Sequence, residues 1–164
     1  MDNLISSRLL RQYEMLTGWI NGSLNVLSDE ELKIEIIPGK NHGIWILGHL
    51  IASDDDLSIF LGKGELLFPE YQEIFGQGSS IRPAGEYPEA SLLRKQWKDV
   101  YEKCIKIYRE LKDSELDESH NLIKDIEEDY FKTKFGVIVS WQIHQAYHAG
   151  QLGLLVSKAG KSKY

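Results

Sequence analysis

Asn41-His42-Gly43-Ile44-Trp45-Ile46-Leu47-Gly48-His49-Leu50-Ile51-Ala52 reads as the front of a helix with no wet side. At about one hundred degrees per residue, Ile44, Leu47 and Ile51 fall roughly opposite His42, Trp45, His49 and Ala52. A helix apolar on both sides either runs through the middle of a fold or lends one face to a partner. Pro38-Gly39 makes a turn just before it, Asn41 is a good N-cap, and Gly62 is a stop, so a helix is predicted over residues 41–61.

Working outward, the neighbouring segments repeat the helical period. Ile5, Leu9, Tyr13, Leu16 and Ile20 recur every three or four residues and predict a helix over residues 3–20, with Gly22 as its stop. Ser28-Asp29-Glu30-Glu31 has the form of a capping box and predicts a short helical turn. Downstream, residues 62–88 hold five of the fourteen glycines and three of the four prolines. That composition predicts a long connection, with one helical turn near residues 70–75, of the kind that forms lids and binding loops. Pro88 suits the start of a third long helix, whose stripe is Leu93, Trp97, Val100, Cys104, Ile107 and Leu111. An acidic connection over residues 113–129 leads to a last helix over residues 133–158, stopped by Gly160. No segment alternates as a strand would. The fold class is therefore all-α, a four-helix bundle with long connections, formed as one domain over residues 1–164.

Composition narrows the function. Nineteen Lys+Arg against twenty-five Asp+Glu leave a net charge of −6 and no basic run, which argues against nucleic acid or an anionic membrane as partner. The mostly apolar stretches 44–52 and 135–141 are too short to span a bilayer, and the first residues lack an apolar targeting core, so a cytoplasmic location is expected. Cys104 is the one cysteine and sits in the apolar stripe of the third helix. It forms no internal disulfide and is expected to be buried core, with Lys103 pointing to another face.

Chemistry concentrates in Trp141-Gln142-Ile143-His144-Gln145-Ala146-Tyr147-His148. Histidines four apart on a helix stand one above the other and can grip one ion, and neutral imidazole suits zinc, nickel and iron. Two partly buried histidines hydrogen-bonded to their surroundings are the alternative. Gln145 stands where a zinc protease of the H-E-x-x-H type needs its general base, so that mechanism is excluded. His49, mid-way along the second helix among apolar residues, needs a polar partner. If the second and last helices are neighbours, His49, His144 and His148 make a three-nitrogen site with open coordination positions, the arrangement of a catalytic metal.

These two stretches carry a family resemblance. Residues 41–50 resemble the second-helix motif of the DinB/YfiT-like superfamily, and His144-Gln145-Ala146-Tyr147-His148-Ala149-Gly150-Gln151 is similar to its last-helix motif. The likeness extends to length, helix order and both long connections. It implies a four-helix bundle, commonly dimeric, whose three histidines hold a divalent metal ion (nickel, zinc or iron); here those are His49, His144 and His148. It also implies a small-molecule substrate and one of two activities: metal-dependent hydrolysis, or transfer involving a low-molecular-weight thiol such as bacillithiol or mycothiol. A non-catalytic metal-binding or interaction bundle is the alternative. The doubly apolar second helix points to a homodimer as well.

Other residues complete the candidate pocket. Asp56 lies seven residues past His49, nearly on its face, and could orient a ligand or act as a general base; otherwise Asp54-Asp55-Asp56 is expected to be solvated helix surface. Gln151, three residues past His148, could hydrogen-bond a ligand or substrate. Trp45 and Trp141, one turn from His49 and His144, could wall the pocket or belong to the core. His42 is expected to need no function at the helix mouth, and His120 to lie on the surface.

Overall fold

The computed structural model describes residues 3–122 and 131–162. Residues 123–129 of the predicted acidic connection lie outside the described residues. The long helices are α1 (Leu4–Val26), α2 (Gly43–Leu61), α4 (Ala90–Glu110) and α5 (Lys134–Lys158), with a short α3 (Tyr71–Phe75) in the connection between α2 and α4. Among the described residues there is no strand, and no helix is long and apolar enough to cross a membrane. Neighbouring pairs run α1–α4, α4–α2, α2–α5 and α5–α1, so the four long helices form a ring around a common axis.

The apolar stripes explain this packing. Leu9, Tyr13, Leu16 and Ile20 of α1 and the whole predicted α4 stripe, from Leu93 to Leu111, are buried. Burying a side chain of this size stabilises the fold by roughly 1.5–3 kcal/mol. In α2, fifteen of the nineteen residues are buried. Its second apolar side is covered by α4, α5 and α3 of the same chain, so it does not need an outside partner.

Several boundaries differ from the sequence expectation. α1 runs straight through Gly22 to Val26, because a glycine inside a helix facing open space costs only about 1 kcal/mol and nothing there breaks the ladder. Ile5 stays exposed; α1 is instead held at its start by Asp113, whose carboxylate accepts from the Ile5 and Ser6 amides at 2.9 and 2.8 Å. The N-cap of α2 is His42, not Asn41. Its Nδ1 accepts from the Trp45 amide at 3.1 Å, and its Nε2–H donates to the Arg82 carbonyl at 3.0 Å. The capping box at Ser28 and Glu31 forms as expected, and Gly62 (φ 65°) and Gly160 (φ 71°) take left-handed conformations after α2 and α5.

Gly48 decides how the long connection seats on α2. A Cβ there would lie 2.2 Å from the Phe75 ring, so only glycine lets the end of α3 press onto the helix. Further along, Asp55 pins the same connection. Its Oδ2 accepts from the Leu67 and Phe68 amides, both at 2.8 Å, while Oδ1 pairs with Lys103 at 2.5 Å.

Candidate metal centre

His49 projects from α2, and His144 and His148 from α5, which are adjacent in the ring; the three ligating nitrogens lie within 4.8 Å of one another. Each ring is held by its second nitrogen. His49 Nδ1 lies 2.6 Å from the Phe75 carbonyl, which can only accept, so Nδ1 carries the proton and Nε2 presents a lone pair. His148 Nδ1 lies 2.7 Å from Gln151 Oε1, and the Gln151 amide nitrogen donates to the Tyr147 hydroxyl at 3.0 Å, which again leaves Nε2 as a lone pair. Trp45 stacks on His49 with ring centroids 4.6 Å apart and planes 14° from parallel.

The two lone pairs converge on a third nitrogen. His144 Nε2 stands 2.9 Å from His49 Nε2 and 2.9 Å from His148 Nε2. A proton on His144 could be donated to one neighbour but not to both. Among neutral rings, one of these contacts therefore sets lone pair against lone pair. Adding protons is opposed: burial lowers all three pKa values, and burial together with the rings' mutual repulsion brings His144 to about 4 and His148 to about 3. A shared divalent ion satisfies all three nitrogens at once. The donor set thus fits a metal of the imidazole-binding class, held by outer hydrogen bonds that orient the rings.

The centre opens on a cavity of about 480 Å3, lined by His49, Asp56, Phe60, Gln72, Trp141 and His144 among others. Gln72, Gly76 and Gln77 of the connection after α2 form part of its wall, as the glycine-rich composition suggested. Trp141 is anchored by its indole N–H, which donates to the Ser53 carbonyl at 2.6 Å. Asp56 is partly buried, and desolvation, with the charge of Asp55 added, raises its carboxyl to about 6. Its oxygens are outside the three-histidine group, so it does not fill the open coordination side. Among the described residues, Trp45 and Gln151 brace the histidines rather than line this cavity, and the buried Trp45 Nε1–H has no partner.

The DinB superfamily model matches residues 11–152, which include α2 and all three histidines. The chain belongs to the DinB superfamily. No match was found among the curated proteins. Within this DinB bundle, two sequence expectations need correction. The run Asp54-Asp55-Asp56 is not solvated surface: Asp54 and Asp55 are 1% and 0% exposed, because Asp54 faces Tyr13 and Gln145 of α1 and α5 and Asp55 faces Lys103 of α4 and the connection after α2, while Asp56 is half-buried at the cavity. Asp54 accepts from the Tyr13 hydroxyl at 2.9 Å and from Gln145 Nε2 at 2.9 and 2.8 Å. His120 is 3% exposed rather than on the surface, since its segment folds back over the end of α2 and sets the ring 5.3 Å from that of Phe60. Cys104 is buried as expected, and burial pushes its thiol well up, away from reactivity.

Sequence reading alone missed the Phe75 carbonyl, Phe60 and Gln72. None had a local signal, because each reaches the centre only through the folding of the long connection or the far end of α2. Asp54 did carry one: a carboxylate between Ala52 and Leu57 on a helix with no wet side had to be buried.

Proposed function

We propose that this DinB protein is a metal-dependent enzyme in which His49, His144 and His148 hold one divalent ion, nickel, zinc or iron. The observation that carries this reading is the approach of two oriented imidazole lone pairs to a third Nε2 at 2.9 Å, at the wall of an open cavity. When bound, the ion supplies Lewis acidity, which activates a water or a thiol and serves hydrolysis or thiol transfer equally. The chain's own residues do the positioning. Phe75 and Gln151 hold the ring protons of His49 and His148 at Nδ1, Trp45 keeps His49 upright by stacking, and Asp56 and Trp141 contact a small-molecule substrate. Asp56 stands outside the ligand group, which favours an open reactive position over a filled structural shell.

The test is elemental analysis of untagged protein beside His49→Ala. About one divalent ion per chain, absent in the variant, is expected; no ion in either after incubation with zinc or nickel would return the histidines to a purely structural role.

A homodimer in the cytoplasm is part of the same reading. Its support is a stripe on α5, where Ile143, Tyr147 and Leu154 are 66%, 63% and 60% exposed. A sedimentation mass of one chain at micromolar protein would remove the dimer.

A further inference from the structure

Among the described residues, Asp56 has no counter-ion of its own. Among the described residues the cation that acts on it is Lys103, and that ammonium is already committed: it donates to Asp55 Oδ1 at 2.5 Å, to the Asp55 carbonyl at 3.1 Å and to the Glu65 carbonyl at 2.6 Å. An ammonium has three N–H donors, so none is left for Asp56. The polar side chain that supports Asp56 is Gln72, a neutral amide. No lysine or arginine is among the described residues that line the cavity.

The rest of the wall favours the same sign of charge. Phe60, Phe131 and Trp141 line the cavity with Asp56, and their rings form one cluster: Trp141 has its centroid 4.9 Å from Phe60 and 6.1 Å from Phe131. Aromatic faces attract an organic cation, more strongly where water is partly excluded. An anion would meet Asp56 unscreened, on a chain whose net charge is −6. The volume of about 480 Å3 suits a ligand of metabolite size.

We propose that the cavity takes a small organic amine in its cationic form, with the positive group paired to Asp56 against the rings of Phe60, Phe131 and Trp141. This rests on the cavity's being the substrate pocket of the proposed enzyme; the electron-rich group that reacts sits at the other end of the molecule, toward the histidines. Asp56 is then a specificity-determining residue, and substrates that present a carboxylate at that end are rejected.

The probe is benzyltrimethylammonium, a permanent cation that cannot ligate a metal, compared with benzyl alcohol and benzoate. Binding is titrated by calorimetry at pH 8 on metal-free and zinc-loaded protein and on Asp56→Asn, whose zinc content and thermal unfolding are recorded alongside. The expected result is saturable binding of the cation to both forms of the wild type, weakened about tenfold or more in Asp56→Asn, with benzoate showing none. Benzoate binding as tightly as the cation, equal binding of the cation by Asp56→Asn, or no saturable cation binding to the wild type would each overturn the proposal. Failure of the metal reading shows separately, as absence of zinc from the wild type, because the probe needs no ion.

Discussion

α2 and α5 meet at two polar clusters built from nearly the same stretch of chain. His49 and His144 face the cavity, while Asp54 and Gln145, five and one residues further along their helices, face the bundle axis. The axial cluster draws on all four long helices: Tyr13 and Gln145 donate to the Asp54 carboxylate, and the Cys104 thiol donates to the Asp54 carbonyl at 3.3 Å. Its demands are nearly met internally. The exception is Gln145 Oε1, which has no hydrogen-bond partner among the described residues. The histidine cluster is the reverse: it holds more lone pairs than the chain supplies donors for, and it opens on free space. Polar groups that close on one another hold a fold together. Those left with an unmet demand beside a cavity are where a ligand belongs.

Adjacent substitutions on α5 should separate the two clusters most sharply. His144→Ala removes the nitrogen common to both 2.9 Å contacts and should abolish stoichiometric metal binding while leaving the fold intact. Gln145→Ala should keep the metal but lower stability by about 1–3 kcal/mol, since it strips a buried carboxyl of a partner. Elemental analysis and urea unfolding of the pair would check this; metal loss in Gln145→Ala with stability unchanged would erase the distinction.

The clusters should also respond to pH in opposite senses. Burial raises Asp54 from 3.8 to about 7, so the folded state holds its proton more tightly; that contribution is complete below about pH 4 and is lost as pH rises through 7. Burial lowers His144 and His148 from 6.5 to about 4 and 3, so their contribution is present above pH 6.5 and is lost as pH falls through their folded values. Metal-free protein should therefore lose stability on both sides. Asp54→Asn should flatten the alkaline limb, by on the order of 3 kcal/mol between pH 5 and 9 relative to wild type, and spare the acid limb. Unfolding of both proteins across that range is the measurement, and parallel curves would refute the assignment.

The smallest effect tests the orientation of a ligand. Gln151→Ala removes the acceptor that holds the His148 Nδ1 proton. It should weaken metal affinity about 10–100-fold without changing the stoichiometry at saturation, as read by competition with a chelator. Unchanged affinity would mean that packing on Trp45 and Tyr147 alone sets the ring.

Local pattern was enough for much of this molecule. Helical periodicity in Leu93, Trp97, Val100, Cys104, Ile107 and Leu111, and the doubly apolar run through His49, specify the helices and mark α2 as dry on both sides, because the side chain that must leave water is a property of the sequence itself. The i, i+4 spacing of His144 and His148 likewise follows from helix geometry alone, and it made the candidate centre legible before any packing was known. Tertiary structure decided the rest: that His49 meets them, that the Phe75 carbonyl orients it over Gly48, that Asp54 faces the axis while Asp56 faces the cavity, and that His120 is covered. The reason is range. Periodicity says which side of a helix is dry, but the partner a buried polar group finds there is supplied by chain tens of residues away, and only the packed arrangement of helices and connections determines it.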